Sequence, residues 1–260
     1  MPELPEVETV VRTLRPSVIG RRIEEARFFT HLILEGKPEP QVNGMTIQSV
    51  TRYGKNILLQ LNSGILAIHL GMTGKLLVDS VPGKYTRAIF TLDRGAVLYD
   101  DIRMFGRIEF DRELPPHIAA LGPDPLEIDR DAFVQAVRAR KTRIKPLLLN
   151  QNFLRGLGNI YVDETLFRAG IHPEAVTSRI KPERLQRLHS VIFEVLEESI
   201  QAGGSSISDY VDSAGRQGSF QDQHRVYGKE GASCPTCGAP ILRIVVAQRG
   251  THFCAKCQKR

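Results

Sequence analysis

Apolar side chains at Val7, Val10, Val11 and Leu14 recur at i, i+3, i+4 and i+7 behind Pro5. That spacing predicts an amphipathic helix of about three turns, stopped by Pro16 and Gly20. Between about residues 21 and 112 the period changes to short apolar runs: Ile57 to Leu61, Ile65 to Leu70, Lys75 to Val78, Ala88 to Leu92 and Ala96 to Tyr99. Turn signals such as Asn62-Ser63-Gly64 and Asp93-Arg94-Gly95 separate them, as in an antiparallel sandwich or barrel. Leu121-Gly-Pro-Asp-Pro125 reads as a rigid break.

From Asp129 the pattern is helical again. Asp129 suits the cap of a helix carrying Phe133, Val134 and Val137. A short helical run covers Ile144 to Leu149, and another follows Gly158 with Ile160, Val162, Leu166 and Phe167. The clearest helix is Pro182 to Ile200, with Leu185, Leu188, Ile192, Val195 and Leu196 on one face and Gly203-Gly204 behind it. Residues 205–232, rich in Ser, Gly, Gln and Asp, read as a mobile loop.

All four cysteines lie beyond that loop, as Cys234-Pro-Thr-Cys237 and Cys254-Ala-Lys-Cys257 with sixteen residues between the pairs. Two CxxC knuckles at this separation match a four-thiolate tetrahedral zinc site. Four protein ligands close the metal's coordination, so the predicted zinc is structural. The sequence-level expectation is therefore an α+β multidomain chain. It has an N-terminal helix on an antiparallel β-sandwich (1–125), a helical domain (126–220) and a C-terminal zinc ribbon (221–260).

Composition changes this picture little. The 42% hydrophobic and 25% charged residues are those of an ordinary globular protein. No run approaches the roughly 18 apolar residues of a membrane span, so no membrane association is expected. The first fifteen residues carry Glu3, Glu6 and Glu8 without a long apolar block and do not read as an export signal; the expected compartment is the cytoplasm. Charge adds more. The net +6 is concentrated at Arg138, Arg140, Lys141, Arg143 and Lys145, and again at Arg243, Arg249, Lys256, Lys259 and Arg260. Such clusters suit a polyanion, nucleic acid first, or a solvated surface.

The candidate chemistry starts at Pro2. Trimming Met1 would leave a secondary amine at the chain terminus. An α-amino group titrates far nearer neutrality than a lysine, and an amine attacking a sugar carbon can form a Schiff base. Glu3 beside it is placed to handle the matching proton. Alone, Pro2 and Pro5 also read as a plain helix start. Gly156 and Gly158, in Asn150 to Tyr161, join two helical segments and leave unpaired N–H groups for a phosphate, with Asn159 adjacent; a plain helix corner is the other reading. His69-Leu-Gly-Met-Thr-Gly74 and Asp101-Ile-Arg-Met-Phe-Gly106 are two tips. Met72 suits a wedge between bases or else a buried core position, and Arg103 and Phe105 suit the space left by an extruded base; Lys55 at a strand start reads as a phosphate contact, a proton donor or an ordinary surface lysine.

Taken in order, the opening Pro-Glu-Leu-Pro-Glu-Val-Glu-Thr, His-Leu-Gly-Met-Thr-Gly, Gly-Leu-Gly-Asn-Ile-Tyr and the cysteine module resemble bacterial formamidopyrimidine-DNA glycosylases over essentially the whole chain. The resemblance implies a bifunctional repair enzyme. Such an enzyme removes 8-oxoguanine and formamidopyrimidines from damaged double-stranded DNA and then cuts the abasic strand by β,δ-elimination. It implies one structural zinc, a helix–two-turn–helix DNA-binding domain, a monomer, and a nucleoid-associated place in the cytoplasm.

By match to the family's motifs, Pro2 is the nucleophile, Glu3 its acid–base partner and Glu6 a support. Lys55 matches the lysine of β-elimination and phosphate binding, and Arg249 the arginine of δ-elimination. His69, Met72, Arg103, Phe105, Arg140 and Asn159 match DNA-contact positions. Tyr85 and Arg87 stand where many members carry histidines, so Tyr85 enters as a DNA contact of changed chemistry. Met104 replaces a basic residue of some relatives. Two other readings share parts of the pattern: an endonuclease VIII-like glycosylase for oxidised pyrimidines, and a non-catalytic zinc-ribbon DNA-binding protein.

Overall fold

Glu3 starts the first helix by a reciprocal cap. Its backbone N–H donates to Glu6 Oε2 at 2.8 Å, and the two residues form a capping box. The computed structural model describes residues 1–260, and they form two compact units: residues 1–120 with 200–221, and residues 121–199 with 222–260.

In the first unit, helix α1 (Leu4–Val18) buries Val7, Val10, Val11 and Leu14, the stripe the period predicts. It does not stop at Pro16. The proline falls in the last turn, where its missing N–H forfeits only one helical bond, and the helix runs to Val18 before Gly20 turns left-handed at φ 79°. The strands are β1 (Ile23–Phe28), β2 (Ile47–Tyr53), β3 (Asn56–Leu61), β4 (Ile65–His69), β5 (Lys75–Val78), β6 (Thr86–Leu92), β7 (Ala96–Asp100) and β8 (Arg107–Asp111). They form two four-stranded sheets, ordered β1-β6-β7-β5 and β2-β3-β4-β8, with every pairing antiparallel. Alternate residues of both sheets join the buried stripe of α1 in one apolar cluster. Gly64 and Gly95 hold the left-handed position of two hairpin loops, at φ 98° and 83°. A short helix α2 (Pro116–Ala119) ends this stretch.

The second unit contains α3 (Arg130–Arg138), α4 (Ile144–Leu149), α5 (Asn159–Ala169) and all but the last two residues of α6 (Pro182–Gln201). Asp129 caps α3, accepting from the backbone N–H of Asp131 and Ala132, and these bonds hold its carboxyl below the usual range. Gln151 fixes the double turn between α4 and α5. It donates to the carbonyls of Leu149 and Leu157 and accepts from Gly156 N–H. Strands β9 (Leu242–Val246) and β10 (Arg249–Phe253) pair antiparallel and complete the unit.

Residues 205–232 differ from the mobile loop the composition suggests. They have little regular structure but are tied at both ends. In the first unit, Ser205 N–H donates to Glu6 Oε1 at 2.7 Å, and Ser213 Oγ lies 2.8 Å from Thr13 Oγ1. In the second unit, the backbone N–H groups of Arg225, Val226 and Tyr227 all donate to the buried carboxylate of Glu164. Polar residues here serve long-range hydrogen bonds, which composition does not distinguish from solvation.

Candidate active site and nucleic-acid interface

In the first unit, α1 presents the chain's opening residues. Met1 is exposed while Pro2, Glu3 and Glu6 are buried. Glu6 works from both oxygens: Oε2 takes Glu3 N–H and Oε1 takes Ser205 N–H at 2.7 Å. Tyr210 adds its hydroxyl to the Glu6 carbonyl at 3.2 Å; burial first, then the Glu6 charge, pushes that phenol's pKa up. The Pro2–Glu3 segment is thus held by a packed helix and a carboxylate clamp. The positive end of the α1 dipole beside it disfavours a protonated amine there.

Lys55 lies in the two-residue turn between β2 and β3 and is buried, unlike an ordinary surface lysine. His69, at the end of β4, is close enough to feel its charge. Burial first, then Lys55 and Arg107, lower the His69 pKa to about 4. The imidazole is therefore neutral near pH 7. Its Nδ1 accepts Gly71 N–H at 3.1 Å, so the proton sits on Nε2, a neutral donor.

The tip after β4 carries Met72, 40% exposed, where a methionine is more often buried. The tip after β7 carries Arg103 and Phe105, the latter 53% exposed. The structure brings the three together: Arg103 Nη1 is 3.3 Å from Met72 Sδ, and the guanidinium lies 4.6 Å from the Phe105 ring centroid. Tyr85 is exposed, with Lys84 Nζ and Arg87 Cζ at 5.7 and 5.9 Å from its ring. Its surroundings are cationic even though the expected histidines are absent.

In the second unit, Asn159 opens α5 and its Nδ2 donates to the Gly250 carbonyl at 2.9 Å. Its Oδ1 is buried without a partner. Gly250 follows Arg249 in β10. A two-residue turn, with Ala247 and Gln248 both left-handed, leaves Arg249 exposed at the strand start. The structure thus sets Asn159 beside the hairpin that bears Arg249. Arg140 is exposed just beyond α3.

Lys145 does not belong to the solvated basic cluster in which its sequence neighbours place it. Its side chain is fully buried and its Nζ lies 2.6 Å from Asp163 Oδ1, itself fully buried. It also donates to Gly250 O at 3.3 Å, while Asp163 Oδ2 accepts His252 N–H at 2.8 Å. A lysine one residue inside α4, flanked by apolar positions, is the only sequence signal of this role. Asp163 and Glu164, on the apolar-rich α5, carry a similar faint signal.

The four cysteine Sγ atoms lie within 4.8 Å of one another, with Cys234–Cys257 at 3.8 Å and Cys237–Cys254 at 3.5 Å. A zinc tetrathiolate with bonds of about 2.3 Å has edges of about 3.8 Å. The donor set fits one structural zinc, held by Cys234, Cys237, Cys254 and Cys257.

Three family models match in series. The formamidopyrimidine-DNA glycosylase N-terminal domain matches residues 1–108, the formamidopyrimidine-DNA glycosylase H2TH domain 121–211, and the zinc finger found in FPG and IleRS 233–260. A formamidopyrimidine-DNA glycosylase of Solibacter usitatus is 56% identical over the whole of both chains. The crystal structure of MutM (Fpg) from Thermus thermophilus superimposes with a TM-score of 0.91 at 39% identity, covering 99% of this chain and 98% of that one. Lactococcus lactis Fpg, solved with DNA containing N7-benzyl-Fapy-dG, gives 0.89 at 36% identity over the whole of both chains.

Proposed function

The chain belongs to the formamidopyrimidine-DNA glycosylase family, and from that premise we propose which of its residues carry the chemistry. As a member it is a base-excision-repair enzyme that removes oxidised purines from duplex DNA and cleaves the abasic strand, with one structural zinc. A base inside a duplex is out of reach, so the damaged nucleotide must first leave the stack, and a weakened pair lowers that cost.

Removal of Met1 turns the Pro2 nitrogen from an amide into a secondary amine. With an α-amino pKa of about 7.7–8.0, on the order of a tenth of it is unprotonated at pH 7, more near a helix N-terminus. The amine attacks C1′ of the deoxyribose and the base departs with the bonding pair, taking a proton. The product is an iminium joining Pro2 to the opened sugar, with Glu3 moving the proton on and off the sugar oxygen. The iminium acidifies C2′–H. Loss of that proton expels the 3′ phosphate, and a second elimination expels the 5′ phosphate. Water then releases the enzyme. An activated water in place of the amine would stop at the abasic site.

Glu6 fixes the nucleophile's backbone. Lys55 meets the phosphate and assists β-elimination, and Arg249 assists δ-elimination. Neutral His69, Tyr85, Arg140 and Asn159 bind the strand, and Met72, Arg103 and Phe105 fill the gap the flipped nucleotide leaves. The β-sandwich portion carries the glycosylase chemistry and β-elimination, while the helical portion and the zinc ribbon hold phosphates without reading sequence and the ribbon adds Arg249 for δ-elimination. Thiolates kept as zinc ligands suit a reducing compartment, and we place the enzyme in the cytoplasm, on nucleoid DNA.

The single observation that supports this reading best is the clamp on the opening segment: a buried Pro2–Glu3 whose backbone is held by Glu6. Borohydride reduction in the presence of an 8-oxoguanine duplex should link the mature protein covalently to DNA, and a residual N-terminal tag should abolish the link. Equal trapping by the tagged protein would remove Pro2 from the mechanism. Preferential cleavage of thymine glycol over 8-oxoguanine would reassign the lesion class.

A further inference from the structure

Asp101 is fully buried, yet it stands at the base of the exposed tip that carries Arg103 and Phe105. Its carboxylate takes four donors. Oδ1 accepts from Thr73 Oγ1 at 2.5 Å and from Arg103 N–H at 3.2 Å; Oδ2 accepts from Gly106 N–H at 2.9 Å and Tyr99 O–H at 3.2 Å. Thr73 belongs to the Met72 tip, and its Oγ1 also accepts Arg103 N–H at 3.0 Å. The Asp101 backbone reaches a third segment: its N–H donates to the Tyr85 carbonyl, and its carbonyl accepts Arg87 Nε–H at 2.9 Å.

The two tips touch backbone to backbone around this group. A Cβ on Gly71 would lie 2.5 Å from the Phe105 carbonyl carbon, and one on Gly106 would lie 1.6 Å from the Tyr99 hydroxyl. Between the two amides that Asp101 holds sits Met104 at φ 54°, a left-handed conformation that a side chain adopts only when its surroundings impose it.

We propose that Asp101 is a positioning residue for strand-gap filling: its buried carboxylate locks the Met72 tip and the Arg103–Phe105 tip into one preassembled wedge. The inference rests on the reading of those three side chains as the gap-filling trio. A preassembled wedge enters the duplex without first ordering two loops, so Asp101 lowers the cost of base extrusion and touches neither substrate nor reacting atoms.

The test is Asp101→Asn. The amide keeps the volume but turns one oxygen into a donor facing donors, and Gly106 N–H cannot reverse its role. Single-turnover excision of 8-oxoguanine paired with cytosine should slow by about ten- to a hundredfold, the equivalent of one buried donor left unpaired. Borohydride trapping on a preformed abasic site should stay within about threefold of the parent, and zinc content should not change. Excision should recover most of the loss when the lesion is mispaired, because extrusion is then easier. Thr73→Val, which removes one of the four donors, should show the same pattern to a smaller extent and serves if the Asn variant does not fold.

Phe105→Ala separates the gap-filling trio from its Asp101 support. If Phe105→Ala excises paired lesions normally, the trio reading fails. If Phe105→Ala is impaired while Asp101→Asn and Thr73→Val match the parent, the Asp101 proposal fails. Equal losses on paired, mispaired and abasic substrates would reduce Asp101 to a general fold residue and also overturn it.

Discussion

Asp163→Asn is the most exposing change for the second unit. Lys145 and Asp163 are both fully buried with 2.6 Å between charged atoms. At an effective dielectric near 20, two unit charges at that distance attract by roughly 6 kcal/mol, most of which offsets the cost of taking both ions out of water. Asparagine keeps the shape and still accepts His252 N–H, so no cavity opens and the hairpin contact survives. What it removes is the charge opposite a buried ammonium, a change that typically costs about 3–5 kcal/mol. At about 2–4 °C per kcal/mol for a chain of this size, the melting temperature should fall by about 6–20 °C, read by calorimetry on zinc-loaded protein. The control is the double variant Lys145→Met with Asp163→Asn. It removes the stranded cation and should regain more than half of the loss. A single variant within 1 kcal/mol of the parent, or a double variant no better than the single, would refute the desolvated-pair account.

Two further outcomes follow from the same geometry. Cys237→Ser should release zinc, loosen the β9–β10 hairpin and weaken duplex binding by gel shift, whereas unchanged affinity would sever the zinc from DNA binding. Burial is the largest cause lowering the pKa of both His69 and His224, each to about 4 from the ordinary 6.5 of a free imidazole. Between those values the unfolded chain holds protons the folded one refuses, so their stabilising effect is complete above about pH 6.5 and is lost as pH falls towards 4. His69→Gln with His224→Leu should flatten that limb of denaturant stability against pH, and an unchanged slope would show that these imidazoles are charged in the fold.

How much of this was legible depended on whether a signal was local. The strand runs at β3, β4, β5, β6 and β7 stood out because they are apolar and fenced by turns. The sandwich strands not singled out, β1, β2 and β8, are sheet edges. β1 reads Ile-Glu-Glu-Ala-Arg-Phe and β8 Arg-Ile-Glu-Phe-Asp, the outward charge that keeps an edge from pairing further and also hides it from a hydrophobic count. The zinc ligands, Asp129 cap and Asn159 turn were equally readable, since spacing alone carries each. The nucleophile and wedge residues came through family motifs; their residue types alone left helix start, core methionine and surface lysine as open alternatives.

The contacts that sequence did not reveal share one chemistry. Asp101 collects donors from positions 73, 99, 103 and 106; Asp163 pairs residues 145 and 252; Glu164 gathers the N–H groups of 225 to 227; Glu6 reaches Ser205. Each is a buried carboxylate whose lone pairs are filled by backbone amides, hydroxyls or a buried cation; Asp101, Glu164 and Glu6 thereby fix segments that have no ladder of their own, while Asp163 ties α4 to β10. An apolar core cannot do this for a loop, because a loop brings unpaired N–H groups that would lose water without compensation. An anion accepts several of them at once, and more strongly than a neutral oxygen. Apolar stripes and turns therefore specify the sandwich and the helices. The functional loops are placed by single acidic residues that each reach at least one partner tens to hundreds of positions away, and a pattern read along the chain cannot tell those from acids in solvent.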